Sequence, residues 1–227
     1  MYYDNIVKGK FLARPNRFIA CALVNGEEVL CHVKNTGRCK ELLIPGTDIY
    51  LQRHNNVNRK TQYSLIAVRK GERCINIDSQ APNIVVKEWL QAGNLINGIK
   101  LLKKEQYFGD SRFDFYVEGQ RRSAYIEVKG VTLEVDRIAL FPDAPTQRGI
   151  KHIHELCKCI DAGFDAYIIF IIQMDGVNYF TPNIKTHYAF AKALKTARDY
   201  GVHILALDCN VSADTLTIQS EIPVCLP

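Results

Sequence analysis

The sequence holds no apolar run able to cross a bilayer. Its longest, residues 166–172, is far shorter than the about 20 residues a spanning helix needs. Residues 1–12 lack the charged-then-apolar pattern of an export signal, so a cytoplasmic address and no membrane partner are expected. The eight cysteines are scattered, and the closest pair, Cys157 and Cys159, lacks the two-residue spacer of thiolate metal sites. Reduced thiols acting as small buried groups are expected, rather than a disulfide frame. There is no glycine-rich phosphate loop and no nucleophile-base pair, which argues against a nucleotide or small-molecule enzyme. Low-complexity tracts are absent as well, so nothing reads as disordered.

What is present is a chain of 227 residues with 47% hydrophobic and 23% charged residues, enough for two small domains that each bury a core. The net charge of +5 and pI near 8.7 mildly favour polyanionic partners. The reading divides the chain into domains 1–83 and 84–227.

In the first part, five short runs with strand composition are expected at residues 18–24, 28–34, 47–53, 63–69 and 74–77. Asn25-Gly26 has the composition of a tight hairpin turn and Pro45-Gly46 marks another reversal. Five strands in so short a segment suit a closed oligonucleotide-binding (OB) barrel, which hides its edges and leaves one grooved face for ligand. Arg14, Arg17, Arg38 and neighbouring aromatics supply phosphate contacts and stacking surfaces in that reading. The plainer reading makes most of them solvated charges, with Phe18 in the core. Asn35-Thr36-Gly37 has the look of a turn whose amides and hydroxyl hold an anion, or of a turn that merely caps structure.

After Pro82 the apolar spacing becomes helical at Val85, Val86, Trp89 and Leu90. Strands are expected at 101–108, 112–117 and 124–129, then an amphipathic helix, the apolar strand 166–172, a helix at 184–200 and a strand at 202–207. The class is mixed α/β. The informative piece is the hairpin spanning 112–129. Pairing Glu118 with Ser123 across the turn sets Tyr116 opposite Tyr125, Asp114 opposite Glu127 and Arg112 opposite Lys129. Two facing carboxylates repel unless a cation lies between them or one is protonated. Mg²⁺ or Mn²⁺ resolves that repulsion, with the backbone carbonyl of Val128, waters and a substrate phosphate completing the shell. Lys129 then orients or deprotonates an attacking water, or neutralises phosphoryl oxygens. The competing reading is an ion-pair ladder of Asp114, Glu127, Arg112 and Lys129 on a wet sheet face.

Asp114, Glu127, Val128 and Lys129 resemble the motif of the PD-(D/E)XK nuclease superfamily, although Phe113 stands where that superfamily usually has proline. A more specific resemblance covers nearly the whole chain. Asn35-Thr36-Gly37, Ser111-Arg112-Phe113-Asp114-Phe115, Tyr125-Ile126-Glu127-Val128-Lys129, Phe141-Pro142-Asp143-Ala144 and Arg148-Gly149 are similar to the sugar fermentation stimulation protein A family of bacteria. That resemblance implies an OB-type barrel, a nuclease-like second domain and DNA, rather than RNA, as partner. It leaves open a live Mg²⁺/Mn²⁺ phosphodiesterase or a non-catalytic DNA-binding regulator of sugar (maltose-type) metabolism, and a monomer or a homodimer. The superfamily resemblance also suggests Glu88 as an auxiliary carboxylate and Gln173 as a residue reaching the site from a strand end. Glu105 and Asp143 are lesser acidic candidates, the latter on a loop at 133–143 expected to cross the mouth of the site. Arg148 and Lys151 add positive charge to the start of the following helix, on a polar side shared with His152 and Glu155. His152 and His154 fall on different faces and are not expected to share a metal.

Overall fold

The structure is a computed structural model that describes residues 1–56 and 58–227. Its first part is a closed barrel of β1 (Ile6–Asn16), β2 (Ile19–Val24), β3 (Glu27–Val33), β4 (Asp48–Arg53) and β5 (Tyr63–Lys70). The ring closes because β1 pairs with β2 and β4, β2 with β3, and β5 with both β4 and β3. Alternation places Phe11, Ala20, Ala22, Cys31, Val33, Ile49, Leu51 and Leu65 inside. Each large member contributes about 1.5–3 kcal/mol by leaving water. Asn25 and Gly26 take φ of 51° and 86° and join β2 to β3 by a tight turn.

Three points in this part differ from expectation. The strand β1 was not foreseen, and the expected strand at 74–77 lies outside the ring as β6 (Arg73–Asn76), paired only to β5. Phe18 is 44% exposed, under the guanidinium of Arg17, rather than in the core.

The second part is built on a six-stranded sheet, ordered β15 (Leu216–Glu221), β14 (His203–Val211), β12 (Asp165–Ile172), β9 (Ser123–Val131), β8 (Ser111–Glu118) and β7 (Leu101–Phe108). The central strands β9, β12 and β14 are parallel and almost continuously apolar, as strands buried on both faces must be. Helix α1 (Ala81–Gln91) covers one face, where Val85, Val86 and Leu90 meet Phe115, Val117, Ile126 and Val128. Helix α2 (Gln147–Asp161) covers the other through Ile153, Leu156 and Cys159, against Phe113 and Tyr125, and α3 (Ile184–Tyr200) packs on α2. Successive residues Tyr125 and Ile126 fall into these two clusters, which is the period-two alternation of a strand.

Residues 133–141 are not a loop but the hairpin of β10 (Leu133–Val135) and β11 (Ile138–Phe141), extended by β13 (Tyr179–Pro182). The two parts are joined by buried polar contacts. Gln173 Nε2 donates to Asn76 Oδ1 and to the Asp78 carbonyl, and Glu134 pairs with Lys70 and Arg73. Among the described residues, no helix is long and apolar enough to cross a membrane.

Candidate metal-binding site

The β8–β9 ladder runs Glu118↔Ser123, Val117↔Ala124, Tyr116↔Tyr125 and Phe115↔Ile126, which is the register expected from the turn. It stops one step before Asp114 and Glu127. There the carboxylate of Asp114 replaces a strand carbonyl: Oδ2 accepts the Val128 amide at 2.8 Å, and Oδ1 accepts Asn83 Nδ2 of α1 at 2.8 Å. The opposing β7 is irregular at the same level, with Glu105 at φ 52° and unpaired between Lys104↔Phe115 and Gln106↔Phe113. The strands part, and the acids occupy the gap.

Glu127 points to the α2 side and is 3% exposed. Its Oε1 accepts His152 Nδ1 at 2.5 Å and the ammonium of Lys129, while its Oε2 is buried with no partner. Burial pushes the Glu127 carboxyl up, but the His152 hydrogen bond and the Lys129 charge together hold it below the usual carboxylate range. Asp114 goes the other way. Burial and then the Glu127 charge raise it, outweighing the Val128 and Asn83 hydrogen bonds.

Asp114 is held from the α1 side by Asn83 and Glu127 from the α2 side by His152, so a divalent metal in the gap between their strands would be held by Asp114 and by the bare Oε2 of Glu127. An orphaned buried carboxylate oxygen beside a second, charge-coupled carboxylate fits a hard oxygen-liganded cation. Among the described residues there is no cluster of three or more His, Cys, Asp or Glu side chains suited to a metal, so two carboxylates would leave most of the shell to water and phosphate.

Other candidates lie elsewhere. Glu88 is exposed and pairs with the Met1 amino group at 2.8 Å, so the α1 residue that reaches the acids is Asn83. Gln173 belongs to the junction between the two parts. Arg112 is exposed and pairs with Glu105 at 3.5 Å, and the β-ladder sets it against Tyr107. Lys151 donates to the Asp110 carbonyl, and Arg148 Nε to His152 Nε2 at 3.4 Å.

Arg14 is not free for phosphate. Its guanidinium donates to the carbonyls of Arg17, Asn35, Gly37 and Arg38 at 2.6–2.9 Å, clamping the loop after β3. Asn35 Oδ1 closes a turn on the Gly37 amide, Thr36 is exposed at the tip, and the Arg38 amide donates to Asp143 Oδ2. Arg17 and Arg38 keep exposed side chains.

Sequence reasoning placed His152 and Glu155 on the polar side of α2, yet both are buried. The buried stripe is Gly149, His152, Ile153, Glu155, Leu156 and Cys159. Leu156 was the available signal, since His152 stands one helical turn before it on the same face.

A closed barrel followed by an α/β domain with paired acids at a strand gap defines a class of two-domain proteins in which an OB domain precedes an RE domain. Residues 12–77 match the profile described as "SfsA N-terminal OB domain", and residues 80–215 match "Sugar fermentation stimulation protein RE domain". The chain belongs to the sugar fermentation stimulation protein family. It is 54% identical over 226 residues to a "Sugar fermentation stimulation protein homolog" of Clostridium beijerinckii, covering 100% of both chains. A homolog of Desulfitobacterium hafniense is 56% identical, over 95% of this chain and 94% of its own. Among solved structures, "Pyrococcus Furiosus SfsA in complex with Ca2+" superposes with a TM-score of 0.87 at 30% identity, covering 100% of this chain and 98% of that one.

Proposed function

We propose that this protein binds DNA and hydrolyses phosphodiester bonds with Mg²⁺ or Mn²⁺ at Asp114, Glu127 and Lys129. The observation that carries this is Glu127, buried, held through one oxygen by His152 and Lys129, with its other oxygen bare. A divalent ion there supplies a Lewis acid for the phosphoryl oxygens and an acidified water. The chain's own residues do the rest. Lys129 brings positive charge to the departing or bridging phosphate, His152 fixes the Glu127 carboxylate, and Asn83 and the Val128 amide fix Asp114. That a 30% identical relative was solved with Ca²⁺, another hard oxygen-seeking cation, supports the choice of metal class. Arg17 and Arg38 on the barrel are the proposed backbone contacts.

The test is cleavage of single- and double-stranded DNA in Mg²⁺ or Mn²⁺. Wild type cuts, and Asp114→Ala and Glu127→Ala do not; unchanged cutting in both variants removes the reading. One observation favours a second reading, a non-catalytic DNA-binding regulator: Lys129 already compensates the Glu127 charge, and His152 hydrogen-bonds to it, without metal. In that case DNA affinity survives Glu127→Ala and no cleavage is seen in any metal.

A further inference from the structure

Between the barrel and the second domain lies a cavity of about 360 Å³, within the range of about 300–1,000 Å³ typical of small-ligand sites. One wall is the loop clamped by Arg14; another is the segment from Phe141 to Thr146. Its floor begins at Gly130, the residue after Lys129. Among the described residues, no Lys, Arg or His lines it, and Asp143 contributes negative charge, so a phosphate meets no cationic side chain there.

Its lining includes hydroxyls of Thr36, Thr132 and Thr146 that can donate, and two side chains, Gln173 and Asp143, that each offer an acceptor without a protein partner. Gln173 is 1% exposed, and both of its amide contacts, to Asn76 Oδ1 and the Asp78 carbonyl, use Nε2. That fixes the flip of the carboxamide and leaves Oε1 as an acceptor without a protein partner. Gly130 keeps this oxygen open, since a Cβ there would stand 2.5 Å from it. Asp143 has one oxygen on the Arg38 amide and the other free. Leu133, Leu140 and Phe141 supply an apolar side against which a flat ring can lie.

We propose that this cavity takes an unpaired base of the DNA strand, and that guanine fits it best. Guanine alone among the bases presents adjacent donors, N1–H and the N2 amino group, to two acceptors; thymine offers a single N3–H flanked by carbonyls. An extruded base seated one residue beyond Lys129 sets its own backbone over the carboxylates, so the cavity selects which phosphate reaches them. The inference rests on the DNA-binding reading above.

The test measures binding, in EDTA so that no strand is cut, of a thymidine oligonucleotide carrying one central guanine, hypoxanthine or thymine. Guanine is expected to bind about tenfold more tightly than thymine, with hypoxanthine, which lacks the amino group, between them. Asp143→Asn, which turns an acceptor into a donor, is expected to erase the order. Since that substitution also touches the Arg38 amide, a second measurement stands beside it. A photo-crosslink from 6-thioguanine at the central position is expected to fall on the cavity's walls, within residues 35–37, 130–133 or 141–146 or at Gln173. Equal binding of the three oligonucleotides by wild type, or a crosslink elsewhere, overturns the proposal and leaves DNA binding standing. No binding of any of them overturns both.

Discussion

His152 Nδ1 stands 2.5 Å from Glu127 Oε1, both side chains being buried, and its Nε2 is met by Arg148. A helix thus fixes the strand carboxylate from outside the hairpin. His152→Ala leaves that oxygen with Lys129 alone. The expected cost is about 1–3 kcal/mol of stability and about a tenfold to hundredfold loss of Mn²⁺ affinity, the usual effect of removing a partner that orients a ligand. Thermal melting and metal titration on one preparation check both. Unchanged metal affinity makes His152 a packing residue only.

Asp114 is a carboxylate the fold holds at a disadvantage. Its ionisation is raised by burial and by Glu127, so relative to the unfolded chain its charged form costs stability at neutral pH. As pH falls through the raised value toward the ordinary 3.8, it protonates in both states and the cost disappears. Asp114→Asn, without metal, is therefore expected to stabilise the protein by about 1 kcal/mol at pH 7, or about 2–4 °C in Tm, with the gain shrinking to nothing in acid. Saturating Mn²⁺ reverses the order, because only the charged side chain gains from the ion. Melting curves of both proteins from acid to neutral pH, with and without Mn²⁺, decide it. A variant less stable than wild type at neutral pH in the absence of metal contradicts this.

Arg14 and Arg17 carry the same charge, yet opposite outcomes are expected. Arg14→Ala removes four hydrogen bonds to loop carbonyls and is expected to cost about 2–3 kcal/mol. Lysine does not restore it, lacking the planar fork. Arg17→Ala, at an exposed site over the Phe18 ring, is expected to change stability by about 0.5 kcal/mol or less and to lower the salt dependence of DNA binding by about one phosphate contact. Melting and salt-titrated binding separate the two.

The fold class and the register of the key hairpin were legible in the sequence because alternation and a polar turn fix them. What escaped is instructive. In β1 the inward positions include Gly9, a residue demanded by the 2.9 Å approach of its would-be Cβ to the Leu23 carbonyl, so the apolar alternation is broken where the barrel is tightest. The β10–β11 hairpin turns on Asp136 and Arg137 at φ 51° and 64°, positions where Asn-Gly would have announced the turn. At the site, Asp114 and Glu127 were legible as neighbours, but the gap between their strands was not. It is made by a side chain capping the Val128 amide, an interaction no periodicity encodes. Arg14 was read by its charge and Glu88 by the superfamily resemblance, and neither says whether a carbonyl clamp or a terminal amine has already engaged the side chain.

The central claim is that Asp114 and Glu127 share a divalent ion. Calorimetric titration of Mn²⁺ into wild type and Glu127→Gln tests it without reference to any substrate. The expected result is saturable binding in wild type that is lost in the variant, while the variant's melting shows it folded. Identical heats for the two proteins, or no binding in wild type, contradict it.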